Sequence, residues 1–175
     1  VPWDPTYSAL SADQLIATLP DITDADASQR LSSAAIASLK SALKAAPNDS
    51  FFNQNLAVLL LPTEAAQAEQ YMRHTVRLFP RSRHYSYYTL GCTLLMQGQN
   101  TKATTAFALE SITNPQFLID PLWQQSQFSE LLPAVLPQTL STWQSLLPTT
   151  ASQSSQHAWL VHHLVLMQWW YRQPS

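Results

Sequence analysis

Apolar residues return along most of this chain every third or fourth position, with polar residues filling the opposite side. The stretch "SQRLSSAAIASLKSALKAAP" places Leu31, Ala35, Leu39, Ala42 and Leu43 on one face, which predicts an amphipathic helix from about Ala27. Lys40 and Lys44 lie toward its C-terminal end, where the helix dipole favours cations. Two pairs of helical segments follow. "FFNQNLAVLLLP" and "EAAQAEQYMRHTVRLFP" are separated by Pro62 and Thr63, and "HYSYYTLGCTLLMQG" and "TKATTAFALESITNP" by Gly98 to Asn100. Each pair reads as two antiparallel helices with a tight connection. Upstream, Ser11 suits an N-cap before Asp13 and the apolar Leu15, Ile16 and Leu19, within a turn-rich extension. After Pro115 the rhythm breaks into two or three short helices, with Pro121 and Pro137 suited to first-turn positions. "TTASQSSQ" reads as a polar linker, and residues 157–171 as a helix apolar nearly all round that must pack against something.

Composition supports an ordered, strand-free reading. The chain has 175 residues, 46% hydrophobic and 11% charged, so it is globular and large enough for a real core. Only two of the 175 residues are glycine, too few for hairpin-rich sheets or phosphate-cradling loops. A net charge of −2 argues against wholesale attraction to nucleic acid or to an anionic membrane, so any anion site is local. The single cysteine, Cys92, excludes an internal disulfide and a cysteine-based zinc site. Segment 157–171 is shorter than the roughly 20 apolar residues a bilayer span needs. The chain opens on Val1 with no basic-then-apolar leader, which reads as a processed chain or an excised fragment.

The prolines add a period. Pro47, Pro80 and Pro115 each end the second helix of a pair, at spacings of 33 and 35 residues. A fixed period in that range marks a helical repeat array. In the clearest unit Tyr87, the pair Leu90-Gly91, Leu94, Ala103, Phe107 and Pro115 resemble the pattern of a tetratricopeptide repeat (TPR). One unit earlier, Leu56-Ala57, Leu60, Ala68, Met72 and Pro80 match more weakly, with Ala57 in the glycine's place. A half-unit before that keeps Ala35, Leu39, Ala42 and Pro47. Glu110 departs from the pattern, which has a small residue there. Gly91 costs about 1 kcal/mol against Ala inside a helix, which close approach of a neighbouring helix would offset. Gly98 suits a left-handed C-cap.

The resemblance implies an all-α fold: a TPR-like antiparallel helix-pair array of about two to three repeats with a helical C-terminal cap. A single domain, 1–175, would comprise an N-terminal extension with a short helix (1–26), the helix pairs (27–115) and the cap (116–175). The clear unit followed by "NPQFLIDPLW" is also similar to soluble TPR regions of bacterial membrane proteins of the O-antigen polymerase/ligase type. That similarity implies an extracytoplasmic, membrane-tethered scaffold module in surface-polysaccharide assembly, with any glycosyl transfer done by the attached membrane part. Two other readings stand beside it: a cytoplasmic TPR adaptor for a peptide tail, and a metal- or thiol-dependent enzyme.

Two groups of residues carry the binding expectations. The TPR pattern lines a concave groove with Phe51, Gln54, Val58 and Leu61 from one unit and Tyr85, Tyr88, Cys92, Leu95 and Met96 from the next. Such a lining suits a protein or peptide partner with an apolar face; the chain's own C-terminal segment is the alternative occupant. The second group is "RHTVRLFPRSRH", with Arg73, His74, Arg77, Arg81, Arg83 and His84 and no acid. Arginine suits bidentate recognition of carboxylate or phosphate, so an anionic glycan, lipid or protein surface would fit, against the plainer reading of a solvated helix end. His157, His162 and His163 read as packed or surface histidines and not as ligands. Trp169, Trp170, Tyr171 and Arg172 suit either a membrane interface or burial. No residue carries a catalytic signature, Asp120 and Glu130 make no general acid–base pair, and no cofactor is implied.

Overall fold

In the computed structural model the chain is described at residues 24–81, 85–114, 116–117, 120, 123, 128, 130–146, 155, 158 and 161–162. The main helices of these residues are α1 (Ala25–Ala45), α2 (Ser50–Leu60), α3 (Ala65–Leu78), α4 (Ser86–Met96), α5 (Asn100–Thr113) and α6 (Leu132–Leu146). The all-α expectation is met, with no strand among the described residues. The N-terminal extension around Ser11, Pro121 and most of segment 157–171 lie outside them. Of that last segment, Ala158, Val161 and His162 are helical and exposed.

Side-chain caps explain where α1 and α2 begin. The Asp24 carboxylate accepts from the backbone N–H groups of Asp26 and Ala27, so α1 opens slightly ahead of the apolar rhythm at Ala27. Asp49 caps α2 in the same way, Oδ1 accepting from Phe52 N at 3.0 Å.

The three prolines end helices by one shared geometry. Helices α1, α3 and α5 each stop two residues before Pro47, Pro80 and Pro115. The intervening cap residues Ala46, Phe79 and Asn114 adopt nearly the same backbone angles, with φ between −130° and −138° and ψ between 66° and 85°. A residue before proline is pushed out of the helical region by the ring, which enforces this stop. Each cap N–H still reaches back four residues, to Ala42, Thr75 and Glu110.

Burial repeats with the same spacing. Ala35, Ala68 and Ala103 are all fully buried, and so are Leu39, Met72 and Phe107. Ala42, Thr75 and Glu110 form the third buried set, so the carboxyl of Glu110 takes the place of a methyl group and a hydroxyl. On the intervening helices Leu56 with Leu90, Ala57 with Gly91, and Leu60 with Leu94 are buried in step.

Contacts divide the chain into two compact units, Val1–Gly98 and Gln99–Ser175, with the division at the turn between α4 and α5. In the first unit α2 packs on α1 and on α3, α3 packs on α4, and α2 also meets α4. Gln54 Oε1 accepts from Ser86 Oγ at 2.9 Å, tying α2 to α4. Gln97 Nε2 donates to Glu69 Oε2 at 2.8 Å, tying the end of α4 to α3. Gly98 takes φ 69°, the left-handed turn its position implied.

In the second unit the Phe107 ring lies 6.0 Å from Phe117, 5.9 Å from Trp123 and 6.0 Å from Phe128, centre to centre. Trp123 Nε1 donates to the Phe117 carbonyl at 2.6 Å, which satisfies the one polar atom of that ring. Leu136 and Trp143 of α6 form a second core patch with Ile112, Leu132 and Leu140. Pro137 corrects one expectation: it lies inside α6 and not in its first turn. A mid-helix proline removes the bond to the carbonyl four residues back. Here that residue is Pro133, and both prolines are exposed, so water can take over the freed carbonyl.

Candidate functional site

Helices α2 and α4 contain no charged residue. Each nevertheless shows apolar side chains to solvent. On α2, Phe51 and Val58 are seven residues apart, two turns of one face, and are 49% and 45% exposed. At the other helix, Tyr85 at the N-cap and Met96 at the last position of α4 are exposed, Met96 to 61%. Tyr88, Cys92 and Leu95 lie between them, half-buried, as Gln54 and Leu61 are on the α2 side. The fold therefore brings α2 and α4 together with these side chains spread over them. Gln54 has a further duty that its polarity only hinted at, as the bridge to Ser86.

Cys92 is free, and burial pushes its thiol up from 9.0 to about 11, opposed by a smaller lowering from its hydrogen bond with Tyr88. Such a thiol holds its proton at neutral pH and is a poor nucleophile and a poor metal ligand. Among the described residues no three His, Cys, Asp or Glu side chains gather as metal ligands. His162 is exposed, while His157 and His163 lie outside the described residues, as do Trp169, Trp170, Tyr171 and Arg172.

The basic group divides. Arg73 Nε donates to Glu69 Oε1 at 2.6 Å, one turn back along α3. The acid partner thus sits just outside the acid-free stretch 73–84, and the four-residue spacing was its signal. His74 Nε2 meets Asn48 Oδ1 at 3.0 Å. Arg77 in the last turn of α3 and Arg81 beyond it are exposed and form no ion pair among the described residues. Arg83 and His84 lie outside the described residues.

One cleft had no counterpart in the sequence reading. About 380 Å³ of space opens beside α3, lined by Leu43, Pro47, Asn53, Gln70, Tyr71 and His74. Asn53 Nδ2 donates to the Pro47 and Asp49 carbonyls there, at 2.9 and 2.6 Å, and so braces the α1–α2 turn.

Neither a protein-family model nor a curated protein matches the chain. Among the described residues no helix is long and apolar enough to cross a membrane.

Proposed function

We propose that this chain is a non-catalytic interaction module, a TPR-like array whose α2/α4 face holds an apolar helix or peptide of a partner protein. The observation that carries this reading is the exposure of the apolar side chains Phe51, Val58 and Met96 on two packed helices without a single charge. Solvated surfaces of monomeric proteins seldom gather apolar side chains without a use for them, and helix-in-groove recognition needs such anchors. The repeat reading draws on the shared helix stops at Ala46, Phe79 and Asn114 and on the buried sets 33 and 35 residues apart. Cys92, protonated and half-buried, favours binding over thiol chemistry.

Binding of a panel of amphipathic helical peptides, followed by fluorescence anisotropy, tests the face. Val58→Asp with Met96→Asp should weaken the best binder about tenfold or more, since a charge buried against an apolar anchor is left unpaired. Equal affinity in the variant would remove the α2/α4 face from the proposal.

The wider role we propose is extracytoplasmic and membrane-tethered, in surface-polysaccharide assembly. It rests on the likeness of residues 87–123 to the soluble regions of O-antigen polymerase/ligase-type proteins. The full reading frame tests it: apolar segments of about 20 residues flanking this chain support tethering. Their absence leaves a cytoplasmic peptide-binding adaptor as the reading.

A further inference from the structure

The corner between α3 and α4 has a chemistry of its own. Arg77 lies in the last turn of α3, and Leu78 and Phe79 follow with 37% and 45% exposure. Arg81 is exposed in the turn, and Tyr85, 38% exposed, opens α4. Leu78 and Phe79 thus face solvent in a stretch bounded in sequence by two exposed arginines. One turn earlier Arg73 is held by Glu69, whereas Arg77 and Arg81 form no ion pair among the described residues.

The backbone is also unusual at this corner. Tyr85 has φ 57° and ψ 32°, and its side chain makes no capping bond to the helix it precedes. That left-handed conformation is strained for a bulky residue, and such strain tends to persist where a side chain must be aimed. Across the corner the Tyr87 hydroxyl donates to the Pro80 carbonyl at 3.2 Å, bracing the turn.

Charge and shape together select the occupant. The corner follows the end of α3, and along residues 77–81 two exposed arginines flank the exposed Leu78 and Phe79. An acidic protein face would answer the arginines and leave Leu78, Phe79 and Tyr85 without a matching surface. A bilayer interface offers both layers at once: phosphates that guanidinium groups grip in bidentate fashion, and beneath them an apolar boundary that takes Phe and Leu with Tyr at headgroup depth. We propose that Arg77, Leu78, Phe79, Arg81 and Tyr85 form a docking surface for an anionic lipid membrane. It deepens the membrane-associated reading above but stands on residues separate from the peptide-binding face, except Tyr85, which borders both.

Co-sedimentation of the full chain with phosphatidylcholine vesicles, with and without phosphatidylglycerol, tests the proposal. The protein should pellet with the phosphatidylglycerol vesicles and stay in solution with phosphatidylcholine alone. Arg77→Gln with Arg81→Gln should weaken that binding about thirtyfold, from roughly 1 kcal/mol per basic residue near an anionic surface. Phe79→Ser should weaken it separately, and both variants should melt at the wild-type temperature because these side chains are exposed. Wild-type protein that does not pellet overturns the proposal. So does Phe79→Ser that binds like wild type while soluble polyglutamate displaces the protein from vesicles, an outcome that gives the corner to an acidic protein partner. Val58→Asp with Met96→Asp should pellet like wild type, so loss of peptide binding and loss of lipid binding are read independently.

Discussion

Gly98 and Cys92 each make a measurable demand on their surroundings. At φ 69° Gly98 has nothing within 4 Å of the place a Cβ would occupy, so a substitution there meets backbone strain and no clash. Gly98→Ala should therefore cost about 1–2 kcal/mol in urea unfolding, with Asn costing less because its side chain tolerates the left-handed region. An unchanged midpoint would refute it. For Cys92 the sign follows from its thiol, which ionises near 9.0 in an unfolded chain and at about 11 when folded. Below pH 9 both states keep the proton and the thiol's contribution is fully present. Between 9 and 11 the unfolded chain releases it first, so stability falls as pH rises through that window and levels off above it. The whole effect is on the order of 2–3 kcal/mol. Cys92→Ala should show a correspondingly shallower alkaline loss in urea midpoints, and equal slopes in the two proteins would contradict the assignment.

The helices show how far pattern and propensity carry. Every helix from α1 to α5 was legible, because apolar spacing set its face and a proline or glycine set its end. Gly98 and the prolines worked as signals because each fixes a backbone angle directly. Pro137 misled because the same stiffness suits a first turn or, where water can reach the freed carbonyl, a helix interior; sequence alone does not tell exposure. N-terminal signals differ in strength by what the cap side chain does. Asp49 accepts a hydrogen bond from Phe52 N, while Glu64, before α3, makes no side-chain capping bond. Asp49→Ala should then cost about 1 kcal/mol and Glu64→Ala close to nothing. Thermal melts of the two variants check this, and equal losses would show that both caps act through charge alone.

At the scale of the molecule, the face and the corner were legible to different degrees. The uncharged character of α2 and α4 can be read from the letters, and so can the cluster of arginines. What the letters withheld was pairing across space. Gln54 braces α4 through Ser86, a residue 32 positions away, and Gln97 reaches Glu69, 28 positions back. Exposure of Leu78 and Phe79 was equally hidden, since an apolar pair ending an amphipathic helix ordinarily reads as core. The Ser and Thr side chains hold one last consequence. Thr75, Thr89, Thr104, Ser111 and Thr139 each give their hydroxyl to the carbonyl four residues back along the chain. In a chain with only 11% charged residues, these described hydroxyls are satisfied by short neutral bonds that need no partner from another helix. Such bonds are hardly screened by electrolytes, unlike exposed ion pairs. The fold should keep nearly the same melting temperature from dilute buffer to molar sodium chloride, and ionic strength then becomes a dial that turns the surface charges down and leaves the scaffold alone.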